Sequence, residues 1–123
     1  MFDHIGLKVS NLPASITFYR SVLGALGHEL VTSGDGYAGF GPPGEPSLWL
    51  YQHDRGQPVS AGTHVAFRAA SRSMVQRFHA QSIDAGGRDN GAPGLRTDYS
   101  PTYYGAFVLD PDGHNIEAVC FGG

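Results

Sequence analysis

The chain carries one segment twice, with the copies sixty residues apart. His4-Ile5-Gly6-Leu7-Lys8-Val9 matches His64-Val65-Ala66-Phe67-Arg68-Ala69 position by position: His with His, Ile with Val, Gly with Ala, Leu with Phe, Lys with Arg. The same offset sets Phe18 opposite Phe78, Ala25 opposite Ala85 and Gly27 opposite Gly87. A repeat of this length means two copies of one supersecondary unit, so one topology has to account for both halves. The 123 residues suit a single domain, with module 1 over about 1–52, a linker over 53–62 and module 2 over about 63–123.

Each unit opens with an alternating strand, Ile5, Leu7 and Val9 on one face of the first. A helix follows. In module 1 it starts near Asn11 or Leu12, with Pro13 at an early position where its missing N–H costs nothing. Ile16, Tyr19, Val22 and Leu23 then recur at helical spacing up to Gly24 and Gly27. In module 2 the helix runs from about Ser71 through Met74, Val75, Phe78 and Ile83 to Gly86-Gly87. Three strands complete each unit: roughly Gly27–Thr32, Tyr37–Phe40 and Ser47–Gln52, then Gly87–Asn90, Tyr103–Leu109 and Asn115–Phe121. The fold class is α+β, two tandem βαβββ modules whose strands form an open, cup-shaped mixed sheet. Gly91 to Thr102 is the one large asymmetry, and its Gly and Pro content reads as a flap-like loop.

Composition removes several functions. Net charge is -3 without a basic cluster, which disfavours nucleic acid and anionic membrane surfaces. No apolar run approaches the roughly 20 residues of a membrane span, and Met1-Phe2-Asp3-His4 does not read as a signal peptide. The single cysteine, Cys120, excludes an internal disulfide and fits a reducing cytoplasm.

The repeat also organises the chemistry. Asp110-Pro111-Asp112-Gly113 is a tight turn, after which Ile116 and Ala118 take one face and Glu117 the other. His4 and His64 occupy equivalent positions on the faces away from the helices. With the first strands of the two units facing each other, His4, His64 and Glu117 make a three-ligand site for one divalent ion, Zn, Ni, Co, Mn or Fe, with open coordination positions. Aligning Pro43-Gly44 with Asp112-Gly113, with one residue of slippage, sets Trp49 in the place of Glu117, with Tyr51 next on the same face.

These residues carry a resemblance. Asp3-His4-Ile5-Gly6-Leu7-Lys8-Val9, Leu12-Pro13-Ala14-Ser15 with Phe18-Tyr19, Thr63-His64-Val65-Ala66-Phe67, and Asp110-Pro111-Asp112-Gly113-His114 leading to Glu117 resemble the vicinal oxygen chelate superfamily. That group includes glyoxalase I, fosfomycin-resistance, bleomycin-resistance and extradiol dioxygenase proteins. The resemblance implies a metal that binds a small substrate through neighbouring oxygens, for lyase, isomerase or related chemistry through a stabilised oxyanion. It also favours a homodimer with His4 from one chain and His64 and Glu117 from the other, the alternative in the same family being a site closed within one chain.

The subfamily patterns diverge. Glyoxalase I enzymes carry a fourth ligand where this chain has Trp49. Extradiol enzymes carry a Tyr where it has Phe107, and fosfomycin transferases carry an Arg soon after the Glu, which is absent here. The alternatives are a dimeric drug- or metabolite-sequestering protein of the bleomycin-resistance type and a ring-cleaving, dioxygenase-like protein. Glu117 and Tyr104 are the expected catalytic residues. Trp49, Tyr51, Arg96, Tyr103 and Phe107 are the expected substrate contacts.

Overall fold

The computed structural model describes residues 1–54, 58 and 60–122. The linker expected over 53–62 therefore lies partly outside the described residues.

Ten elements follow in the order β1 (Ile5–Val9), α1 (Leu12–Gly24), β2 (Glu29–Gly34), β3 (Tyr37–Gly41), β4 (Leu48–Gln52), β5 (His64–Arg68), α2 (Arg72–Asp84), β6 (Arg88–Leu95), β7 (Tyr104–Leu109) and β8 (Asn115–Cys120). They form two four-stranded mixed sheets of the same topology, β1-β4-β3-β2 and β5-β8-β7-β6. In each, the first strand runs parallel to the last, and the others are antiparallel. The tandem βαβββ architecture is as the repeat requires.

Local sequence explains the helices. Both are 13 residues long and begin at sixty-residue equivalents. The Asn11 side chain accepts from Ala14 N–H at 3.1 Å, and the Ser71 hydroxyl from Met74 N–H at 3.2 Å. Such caps satisfy amide donors that the first helical turn leaves open. Leu12, Ser15, Phe18, Tyr19, Val22 and Leu23 give α1 its buried stripe, while Val75, Phe78 and Ser82 do so for α2. Ile83 lies outside that stripe and is 41% exposed, one position past the face that the 3.6-residue period carries into the core.

The helices pack on one another and on the sheets, so one apolar core runs through both modules. Tyr19 on α1 crosses into module 2 and donates to Asp110 at 2.5 Å. The edges of β1 and β5 border a cleft of about 510 Å³, lined by Phe2, Ile5, Leu7, Val65 and Phe67 among others.

The asymmetric insert is more regular than its composition suggests. Gly91 to Leu95 extend β6 and pair with β7 across two register shifts. Pro93 is tolerated because β6 is an edge strand, where a missing N–H costs no ladder bond. Only the following turn is irregular, and Arg96 N–H closes it on the Tyr103 carbonyl at 2.7 Å.

Candidate metal centre

β8 pairs with β5 so that Glu117 lies beside Ala66 and Asn115 beside His64. β7 flanks it on the other side with Phe107 opposite Glu117. Strand alternation then sends His64, Glu117, Phe107 and Tyr103 to one side of the sheet, away from α2.

Glu117 is only 1% exposed. Its Oε1 lies 3.1 Å from His64 Nε2, and its Oε2 accepts a hydrogen bond from the Tyr103 hydroxyl. His64 Nδ1 lies 2.9 Å from the Asn115 carbonyl, which can only accept, so Nδ1 carries the ring proton. Nε2 is then the ring nitrogen that faces the carboxylate oxygen. With no second ring proton on Nε2 these would be two acceptors in contact, which repel unless a metal ion joins them. Two donors bound to one ion at about 2.1 Å and roughly 90–109° lie about 3.0–3.4 Å apart, which brackets the observed separation. The residues therefore fit a divalent metal, and the Asn115 contact is the outer-shell partner that ligating histidines ordinarily have.

Tyr103 is a phenol under a carboxylate. Burial, and then the hydrogen bond to Glu117, push its pKa up to about 12, so it holds the carboxylate as a neutral donor. Tyr99 packs edge-on against it at 4.9 Å and Phe121 at 5.3 Å. Arg68 sits over the Phe121 ring at 5.5 Å. His64 is stacked on Phe107, centroids 6.3 Å apart and planes 24° from parallel.

Residues 1–118 match the sequence profile of the Glyoxalase/Bleomycin resistance protein/Dioxygenase superfamily. The chain belongs to that superfamily. A solved glyoxalase/bleomycin resistance protein from Albidiferax ferrireducens T118 is 30% identical, covering 97% of this chain and 98% of its own, with a TM-score of 0.86. Two more distant structures share the fold. A glyoxalase/bleomycin resistance protein/dioxygenase family enzyme from Burkholderia phytofirmans PsJN is 15% identical, with a TM-score of 0.77 and 98% of each chain covered. A glyoxalase-related enzyme from Fulvimarina pelagi is 21% identical, with a TM-score of 0.72, covering 94% of this chain and 84% of its own. No curated protein sequence matches significantly. Among the described residues no helix is long and apolar enough to cross a membrane.

The remaining site residues can be placed against this glyoxalase-superfamily fold. His4 does not join His64 and Glu117 within one chain: among the described residues no three His, Cys, Asp or Glu side chains converge. Its ring pairs instead with Asp3 at 2.7 Å and is 56% exposed. The reason is that the two sheets stay separate, with no ladder joining β1 to β5.

Tyr104 is a second correction. It points to the helix side, where its hydroxyl accepts from Gln76 at 2.9 Å and Arg72 lies over its ring at 4.8 Å. The phenol that meets Glu117 is Tyr103. The signal for this was present in the sequence: Ala106 and Val108 are the core residues of β7, so the odd-numbered positions share the face of Glu117.

Trp49 and Tyr51 lie on the open face of β4, opposite buried Leu48 and Leu50. Trp49 pairs with Gly6 on β1 as Glu117 pairs with Ala66 on β5, which makes them structural equivalents. Tyr37 packs near Trp49 at 6.3 Å, and the Tyr51 ring lies over Gly6. Arg96 and Phe107 border a pocket of about 300 Å³ beside Asn115.

Proposed function

We propose that this protein is a homodimeric, metal-dependent enzyme of glyoxalase-like type acting on a small substrate with two neighbouring oxygens. His64 and Glu117 of one chain and His4 of the partner subunit would hold one divalent ion. The observation that carries this reading is the buried Glu117 carboxylate facing Nε2 of an imidazole whose Nδ1 proton is committed to the Asn115 carbonyl. A bound ion would supply Lewis-acid stabilisation of an oxyanion during isomerisation, addition or elimination.

The chain's own residues supply the rest. Tyr103 is a positioning residue: it fixes one Glu117 oxygen and leaves the other directed at His64. Phe107 and, from the equivalent corner of module 1, Trp49 and Tyr51 offer flat apolar walls. His4 is exposed beside the free β1 edge, where a second copy can use it. A strand edge outside its sheet's ladder favours association.

The test is elemental analysis of purified protein, alone and after subunit exchange. His64→Ala should lower metal affinity more than about 100-fold, beyond the loss usual for an outer-shell change. His4→Ala and Glu117→Ala should each fail to hold metal alone. Their heterodimer contains one doubly damaged and one intact site and should recover one ion. Full metal content in His64→Ala overturns the ligand set, and no recovery in the heterodimer overturns the shared site. A sequestering protein of the bleomycin-resistance type is the second reading, favoured by the aromatic corner around Trp49. It predicts that metal-free protein retains full affinity for flat aromatic ligands.

A further inference from the structure

The pocket beside the metal pair is built around one cation. It holds about 300 Å³ and is lined by Asn90, Gly91, Arg96, Tyr99, Phe107 and Asn115, with no carboxylate in its wall. Arg96 is fixed from three sides. Its Nη2 donates to the Ala92 carbonyl at 2.6 Å, and its guanidinium lies 5.5 Å over the Phe107 ring. Gly91 and Gly94 form the third side: a Cβ at Gly91 would come within 3.3 Å of Nη2, and one at Gly94 within 3.0 Å of Nη1. The side chain is thus seated in a cradle that two missing methyl groups create.

Among the described residues Arg96 has no acidic partner within ion-pairing distance, and one N–H of its five is used. Asn90 Nδ2 donates to Asn115 Oδ1 at 3.2 Å, which leaves the Asn115 amide N–H groups in the pocket wall as further donors. Two wall residues of the pocket also touch the candidate metal pair: Phe107 stacks on His64 and pairs with Glu117, and the Asn115 carbonyl holds His64 Nδ1.

We infer that this pocket is a carboxylate subsite, and that the substrate is an acid carrying a carboxylate separate from the two oxygens that bind the metal. The inference rests on the metal-site reading above. A pre-oriented guanidinium with free N–H pairs recognises a carboxylate in bidentate fashion, and the amide donors complete its coordination. Seating the anion beside Phe107 also fixes the distance between the acid group and the chelating oxygens, which makes Arg96 the residue that selects substrate length.

The experiment compares acetohydroxamate, a neutral-tailed vicinal oxygen chelator, with succinic and glutaric monohydroxamates, its ω-carboxylated homologues. Binding to zinc-loaded protein is measured by calorimetry. At least one homologue should bind wild type about tenfold or more tightly than acetohydroxamate, the value of one charge-assisted pair. Arg96→Gln should erase the difference while retaining zinc, and Arg96→Lys should restore part of it. Equal binding of all three probes to wild type, or an advantage that survives Arg96→Gln, overturns the subsite and leaves the metal reading intact. Failure of every hydroxamate to bind the zinc-loaded protein, or failure to take up zinc, overturns both.

Discussion

The two modules place the same strand positions side by side and furnish them oppositely. In module 2 the corner between β5, β8 and β7 holds Ala66, Glu117 and Phe107; in module 1 the matching corner holds Gly6, Trp49 and Gly39. The bulky ring stands on β7 in module 2 and on β4 in module 1. Where Phe107 stands beside the carboxylate, Gly39 leaves room for the indole: a Cβ at Gly39 would come within 2.9 Å of Trp49. On the module 2 side Gly105 performs that service, since a Cβ there would lie 3.2 Å from both Glu117 Oε2 and the Tyr103 ring. Duplication thus preserved a backbone while one corner became a charged, hydrogen-bonded pair and the other an aromatic wall. A cup built from one corner of each type would combine a metal with a flat apolar surface.

Adding one methyl group to each corner probes this contrast most strongly. Gly39→Ala should destabilise the protein by about 1–3 kcal/mol through overpacking against Trp49 and Pro46, with metal affinity unchanged. Gly105→Ala pushes on the Glu117 oxygen and should weaken metal binding more than it lowers the melting temperature. Melting curves with and without zinc separate the effects, because a ligand that binds only the folded state raises stability by about 2.7 kcal/mol at a hundredfold excess over Kd. If both substitutions act alike, the corners are not functionally distinct.

Adjacent tyrosines give a finer contrast within module 2. Tyr103→Phe removes the donor to Glu117 and should cost roughly tenfold in metal affinity, the lower end for outer-shell changes. Tyr104→Phe loses a hydrogen bond from Gln76 and should cost about 1 kcal/mol of stability, leaving the metal undisturbed. A metal defect in Tyr104→Phe would reverse the assignment.

How much of this was readable in the chain depends on the periodicity involved. The sixty-residue offset specified both helices and the order of strands, because caps, glycine stops and alternating strands are local signals. Trp49 matched Glu117 through the turns instead, with one residue of slippage, and Gly44 and Gly113 do both adopt positive φ, at 77° and 84°, in equivalent turns. The Tyr103/Tyr104 assignment failed for want of a phase count from Ala106 and Val108. The extension of β6 through Gly91–Leu95 was hidden because two register shifts and Pro93 break the alternation by which strands are recognised. The position of His4 depends on how two sheets meet, and alternation within one strand carries no information about that.

The smallest predicted effects come from the helices. Tyr19 and His79 are sixty-residue equivalents that differ in what they reach. Tyr19 is buried and donates across the module boundary to Asp110, which also accepts from Asp112 and His114 N–H at 2.9 Å. Burial first, and then Asp110, hold its phenol well above the usual range. The folded state therefore keeps a proton that the unfolded chain releases near pH 10, so this contribution is complete below that value and is lost as pH rises past it. His79 instead pairs with exposed Asp89 at 2.9 Å inside its own module. That hydrogen bond holds the Asp89 carboxyl below its ordinary 3.8, a contribution present above that pH and lost as it falls. Solvent screening keeps the exposed pair weak. Melting temperature followed across pH should accordingly show an alkaline decline that Tyr19→Phe reduces. His79→Ala should leave the acid limb almost unchanged. An acid-limb change as large as the alkaline one would mean that the surface pair, and not the buried crossing, ties the helices to the rest of the fold.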